Sequence, residues 1–341
     1  MAAADTSRRT GTSRRARRAE RAPSGGWRTI AAKELADHLA STRFFVLLLI
    51  VAIAAVVPLL FVSGSISDQA PQASGFPALF LALFVAGADQ LNGITTVAFT
   101  ALLVPLVGIA FGFDAINSER AQGTLSRLLA QPVHRDDVVN GKFAAGIAVI
   151  TLMIGAMVMF VAAAGIMRLG IIPSGEEVAR IVLWLMATVL YASFWLAFAL
   201  LISVVVRSAA TAALIGFGTW LGLTLFGQFL LPLVAKTLFP SDTSTAQSFF
   251  ASSTAQQVFL RLSPAQLYTD IQAGVLNPRV ATVLGPGNLG QYVSSQEKLP
   301  TLLSVDQSIL LVWPQIVLLL AVTVAMFALA YVLFLRQEVR A

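Results

Sequence analysis

Six runs of 19 to 27 residues in this chain contain no Asp, Glu, Lys or Arg: 44–62, 94–113, 143–167, 181–206, 209–234 and 309–335. About 20 consecutive apolar residues match the hydrocarbon thickness of a bilayer. Even the shortest run, Phe44 to Val62, covers about 28 Å as a helix at 1.5 Å per residue. Lipid offers backbone polar groups no partners, so each run has to be helical. Overall, 57% of the residues are hydrophobic and 12% charged, where a soluble domain carries about a quarter charged residues. The chain reads as an all-α integral membrane protein with six transmembrane helices.

Lys and Arg are spread unevenly over the connections. Segments 1–43, 114–142, the turn at 207–208 and the C-terminus hold 17 of the 23, and the loops on the opposite side hold 6. That excess places both termini and the 114–142 island on the cytoplasmic side of the cell membrane. Residues 1–26 are rich in Arg, Ala and Ser with little apolar content, and read as a disordered basic arm that rests on anionic lipid. No aromatic residues interleave with the charges, so nucleic acid is not an expected partner. The transmembrane domain proper is 27–341. It opens with an amphipathic helix at the membrane interface, in which Trp27, Ile30, Ala31, Leu35 and Leu39 share a face and Lys33, Asp37 and Arg43 lie away from it. His38 reads as an interfacial polar residue rather than a ligand.

The island carries helix grammar of its own. Gly123 lets the chain turn. Thr124 can cap a short helix, Leu125 to Ala130, which Pro132 prevents from running on. Leu125, Leu128 and Leu129 form one apolar stripe beside Arg127. Asp136 and Asp137 sit where the next helix starts and complement its positive end. Leucines rimmed by charge at a water boundary mark a docking surface, although such a stripe can also fold back on its own bundle.

The long segment 235–308 reads as an external loop between the fifth and sixth helices. One helix is expected near 246–262. A second starts with Ser263 as cap and Pro264 in the first turn, with Leu267, Tyr268, Ile271 and Val275 on one face. Gly285-Pro286-Gly287 then makes a turn. Met153, Met157, Met159 and Met167 in the third span read as gap-filling packing rather than a copper relay. Gly218-x-x-x-Gly222 in the fifth gives a flat face for close helix approach, within one bundle or in a dimer.

Several chemistries are excluded. There is no Cys, and His38 and His134 are the only histidines, so no thiol chemistry or histidine-built metal centre is expected. A phosphate-cradling loop needs Gly-x-x-x-x-Gly-Lys-Ser/Thr. Gly141-Lys142 is followed by Phe143 and has Asp136 where the first glycine belongs. ATP hydrolysis is therefore not expected on this chain. The apolar runs carry no charge to relay ions, which argues against a secondary transporter or channel. Asp89 and Asp114, about 37 Å apart by helical rise, cannot act as a catalytic pair on one helix.

The run Glu119-Arg120-x-x-Gly123-Thr124-Leu125-x-x-Leu128-Leu129-x-x-Pro132-x-x-Arg135, followed by Gly141-Lys142, resembles the ABC-2 type permeases, most closely the branch that contains the nitrous-oxide-reductase maturation permease. Ala32-Lys33-Glu34-Leu35-x-Asp37 with Arg43-Phe44 resembles the family's interface helix. Leu262-Ser263-Pro264 through Tyr268 with Leu276-Asn277-Pro278 resembles its external loop, and Arg336-Gln337-Glu338-Val339-Arg340 its ending. His134 departs from the small hydroxyl residue often found before Arg135.

The resemblance implies the permease subunit of an ATP-driven exporter, coupled to a separate ABC-type ATPase through a helix in 114–142. There Glu119, Arg120 and Arg127 would make polar contacts and Leu125 and Leu128 would be the apolar knobs. ATP and Mg would sit on the partner. A second copy, or a paralogous permease, would complete a pathway lined by the second and fifth spans. An alternative within the family is a mechanical relay that matures an external protein without passing substrate.

Overall fold

A computed structural model describes residues 26–73, 80–85, 95–124, 134–170, 172–241, 244–277 and 303–337. The basic arm before Gly26, the leucine stripe Leu125–Leu129 with Arg127, the turn at Gly285-Pro286-Gly287 and the last four residues lie outside them.

The described residues are helical and contain no strand. In chain order the helices are α1 (Gly26–Ala40), α2 (Thr42–Ala73), α3 (Ala82–Val85), α4 (Thr96–Gly112), α5 (Asn117–Ala121) and α6 (Arg135–Leu169). They continue with α7 (Gly175–Val205), α8 (Ala209–Leu221), a π-helical turn (Gly222–Phe226), α9 (Gly227–Leu238), α10 (Ala246–Leu260), α11 (Pro264–Leu276) and α12 (Val305–Arg336).

Five stretches are long and apolar enough to cross a membrane: Thr42–Leu60, Thr96–Ala121, Arg135–Met167, Gly175–Val205 and Val305–Arg336. The expected fifth span, 209–234, is not one straight helix. Ala209–Thr224 and Phe229–Leu238 meet at 62°. The π-helical turn stands at the bend, and Pro232 lies inside α9. Extra residues in a turn and a missing backbone donor are both recognised causes of a kink. Counting this pair as one span gives six.

α7 is the hub, with 72% of its most apolar window buried inside the chain against 17% for α12. Small residues let its neighbours close in. A Cβ at Gly108 would come 2.6 Å from the Ala192 carbonyl oxygen, and one at Gly112 would come 2.8 Å from Ala199 Cβ. Gly108-x-x-x-Gly112 thus brings α4 onto α7 at backbone distance. By contrast, nothing in the described chain comes within 4 Å of a Cβ at Gly218 or Gly222. The glycine pair singled out from sequence leaves an open face, and a second pair with the same spacing does the packing.

Other helix ends are displaced from their expected positions. α7 starts at Gly175, capped by Ser174 and Glu177, so Arg180 lies within the helix rather than in the preceding loop. Its side chain is buried and donates to Val275 O (2.8 Å), Ser308 Oγ (2.9 Å) and Leu303 O. Glu177 also accepts from the Phe80 amide at 2.8 Å. This fixes α3, whose Phe84 meets Trp184 edge to face.

The two helices expected in 235–308 form at Ala246–Leu260 and Pro264–Leu276. Leu267, Tyr268, Ile271 and Val275 are all buried. α11 packs on the bundle. Tyr268 stacks on Tyr191 with centroids 4.5 Å apart, and its hydroxyl lies 2.8 Å from that of Thr188. Thr188 stands about 20 Å along α7 from its start by helical rise, so α11 lies against the middle of a spanning helix. In α6, Met153 and Met157 fill the core as expected, whereas Met159 and Met167 are exposed.

Candidate functional site

The end of the bundle that holds α1, α5 and the close of α12 gathers the described charged residues of the island. α4 ends at Gly112, and the chain turns through 113–116 before α5. Ser203 of α7 secures that turn: its Oγ accepts from the amides of Ile116 (2.9 Å) and Asn117 (3.2 Å). Asn117 donates in turn to Phe113 O at 3.1 Å. Donors freed at a helix start are thereby satisfied by a neighbouring helix.

Lys142 is the centre of the cluster. It lies about two turns inside the start of α6 at Arg135, and its side chain is 6% exposed. Its Nζ stands 3.0 Å from Glu34 Oε1 on α1 and 2.7 Å from Glu119 Oε1 on α5. A buried ammonium needs such partners, because desolvating it alone costs several kcal/mol. Two carboxylates share one cation, and Glu119 Oε2 is buried with no hydrogen-bond partner among the described residues. Burial pushes the Glu34 carboxyl up, but the charge and hydrogen bond of Lys142, backed by Lys33, hold it below the ordinary carboxylate range.

α1 packs along α6 with Ile30 and Glu34 buried and Leu35, His38 and Leu39 partly so. At the crossing, Gly141 leaves no room for a side chain: a Cβ would meet Ile30 Cγ2 at 2.7 Å. The face expected from sequence is therefore modified. Trp27 is 40% exposed, and Glu34 joins the buried stripe. His38 sets its ring edge on Phe111, centroids 5.0 Å apart. Burial lowers its pKa from the ordinary value.

A second clamp joins α2 to the end of α4. Arg43 forms a bidentate pair with Asp114 at 2.9 and 2.6 Å, donates to Ala110 O at 2.8 Å, and lies over the Phe113 ring. A guanidinium at a helix C-terminus also complements the negative end of the dipole. These groups border a polar cleft of about 410 Å³.

The third contact reaches α12. Arg120 donates to Val204 O at 3.0 Å and to Gln337 Oε1; Gln337 Nε2 donates to the same Val204 O at 2.9 Å. Arg135 donates to Gln337 O at 3.1 Å. α6 begins with Asp136 and Asp137 in its first turn, and Asp137 accepts from the His134 amide at 3.2 Å.

Of the candidate coupling residues, the structure brings Glu119 and Arg120 onto partners inside the chain. Gly123 has φ of 66°, a left-handed conformation that favours glycine, and Thr124 follows it with its hydroxyl 3.3 Å from Glu119 O. Leu125, Arg127 and Leu128 lie outside the described residues. Sequence reasoning missed the tie between Glu34 and Lys142. The signal was a carboxylate one turn from Ile30 on the apolar stripe and a lysine at the mouth of an apolar run. Among the described residues, no group of three or more His, Asp or Glu is placed to hold a metal ion.

The arrangement is built of ion pairs and hydrogen bonds between helices. It fastens the short α5 segment to α1, α6, α7 and the end of α12. A family model described as "ABC-2 family transporter protein" matches residues 28–339. No curated protein matches the chain.

Proposed function

The chain belongs to the ABC-2 transporter family, the membrane permease components of ABC transporters, and from that premise we propose that it is the permease of an ATP-driven exporter, worked by a separate ATPase subunit docked on the 114–142 segment. One observation supports this reading above the others. Lys142 and Arg120 tie the start of the island to four long elements at once. A push on residues beyond Gly123 would then move α4 and α6 together rather than bend a loop. Leu125, Arg127 and Leu128 are the proposed contacts with the ATPase. Glu119 and Arg120 are the proposed footing, with Gly123 and Thr124 setting the exit angle. The Lys and Arg excess supports a cytoplasmic position for both termini and this footing. The open face around Gly218 and Gly222, beside exposed Leu214 and Phe229, suits a second copy of the chain or a paralogue.

The test is purification from native membranes in mild detergent with an ATPase assay. A stoichiometric ATP-binding subunit is expected. Its stimulated turnover should be lost in Glu119→Ala and in Gly123→Pro, both of which should still insert in the membrane. Normal coupled turnover in both variants would overturn the coupling assignment. An external protein in the same preparation would support the relay variant.

A further inference from the structure

Four arginines gather at one corner of the charged end, around Gln337 and the last turn of α7. Arg120 donates to Val204 O at 3.0 Å and to Gln337 Oε1, and Arg135 donates to Gln337 O at 3.1 Å. Arg336 precedes Gln337 at the close of α12, and Arg207 follows α7 in the turn 206–208. The charge of Arg207 acts on Arg120. None of the four forms an ion pair among the described residues, where the paired cations are Lys33, Arg43, Lys142 and Arg261. Asp136 and Asp137 stand beside Arg135 in the chain, yet pair with none of them.

Like charges brought together repel one another, and an anion between them relieves the cost. Two observations indicate which anion. All four cations are arginine, whose planar fork matches phosphate in bidentate geometry. The corner also stands at the level where the helices leave the bilayer. The turn between α7 and α8 is only 206–208, too short to carry Arg207 away from that level, and Arg336 is the last residue of α12. Val205 and Leu335, at the ends of the same two helices, are exposed and apolar. A surface for acyl chains therefore adjoins the arginines. An acidic protein face would have to displace lipid to reach them.

We infer that this corner seats the phosphate of an anionic phospholipid. Arg207 and Arg336 are its direct contacts, Arg120 and Arg135 add charge, and the acyl chains run along Val205 and Leu335. Basic pockets between spanning helices recognise acidic lipid heads in the same manner. The site is separate from the basic arm before Gly26 and does not depend on the permease reading.

The test uses the full chain in a neutral maltoside detergent, with bound lipid counted by native mass spectrometry. The probe is dioleoylphosphatidylglycerol. The comparison is dioleoylphosphatidylcholine, which has the same chains and phosphate but carries a choline cation that cancels the charge. Retention of the phosphatidylglycerol should saturate, weaken with salt and exceed that of the phosphatidylcholine. Arg207→Gln and Arg336→Gln should each weaken half-saturation about fivefold, the figure for one cation at an anionic membrane surface. Lys236→Gln removes the same charge from the last turn of α9, at the other end of the bent span, and should leave half-saturation unchanged. Neither arginine side chain is paired among the described residues, so both variants should unfold at the parent's temperature without lipid. Inorganic phosphate should not displace the lipid, because it has no chains to lie along Val205 and Leu335. Equal retention of the two lipids, displacement by inorganic phosphate, unchanged half-saturation in both arginine variants, an equal loss in Lys236→Gln, or earlier unfolding of both arginine variants would each overturn the inference. Variants that keep the lipid but lose a co-purifying ATPase subunit would assign the corner to that partner instead. The lipid assay contains no ATPase, so its failure leaves the coupling proposal standing.

Discussion

The Lys142 ammonium stands 2.7 Å from the Glu119 carboxylate across the junction of two spanning helices, and only 6% of the lysine side chain reaches solvent. Breaking a buried pair costs more than forming it gains, because an uncompensated charge is left behind. Lys142→Met would leave Glu34 and Glu119 facing one another with no cation between them. The expected loss is about 3 kcal/mol or more, read as a lower unfolding midpoint in detergent. Adding Glu34→Gln and Glu119→Gln should restore part of it. An unchanged midpoint in Lys142→Met would show that the cluster does not hold α1 and α5.

Arg43 and Asp114 tie α2 to the end of α4 through two parallel hydrogen bonds. Lysine cannot reproduce the fork or its position over Phe113. Arg43→Lys should destabilise by about 1 kcal/mol, a modest figure because both side chains are partly exposed. A double-mutant cycle with Asp114→Asn measures it, and additive losses would mean that the two do not couple.

The docking of α1 should depend on pH. The Glu34 carboxyl is held below its ordinary value of 4.5, so its contribution is full above 4.5 and is lost as pH falls below that. Burial depresses His38 below 6.5, so the folded chain resists a proton that the unfolded chain accepts, and stability declines as pH drops from 6.5. Both act in one direction: α1 is held best at neutral pH and above. The chain has no Cys, so Leu35→Cys provides a clean accessibility probe. Its labelling, corrected for thiolate fraction, should rise as pH falls from 7 towards 4.5. A flat profile would sink the prediction.

Arg180 holds α11 and the start of α12 against α7 through Val275, Leu303 and Ser308. Arg180→Met removes these donors and leaves their acceptors buried, at about 1–3 kcal/mol for each group that water cannot reach. α11 should then detach before the rest of the bundle. Leu267→Cys, at a position 2% exposed, should react slowly in the parent background and readily with Arg180→Met. Equal rates would place the anchor of α11 elsewhere, for instance at Tyr268 and Thr188.

What was legible from sequence concerned local sums. Apolar length marked the spanning helices, because the cost of backbone polar groups in lipid depends only on the residues in the segment. Ser263-Pro264 and the spacing of Leu267, Tyr268, Ile271 and Val275 gave α11 its boundary and buried face. Gly123 marked its turn, because its positive φ is a local property. Which surfaces meet was not legible. An apolar helix face reads the same whether lipid or another helix covers it, so the sequence did not single out Gly108-x-x-x-Gly112, where α4 closes on α7. The partners of Lys142 were hidden because Glu34 and Glu119 lie far from it in sequence. Only the packing of α1 and α5 against α6 decided that all three share one buried site, since a buried charge is satisfied by whatever the fold brings within 3 Å.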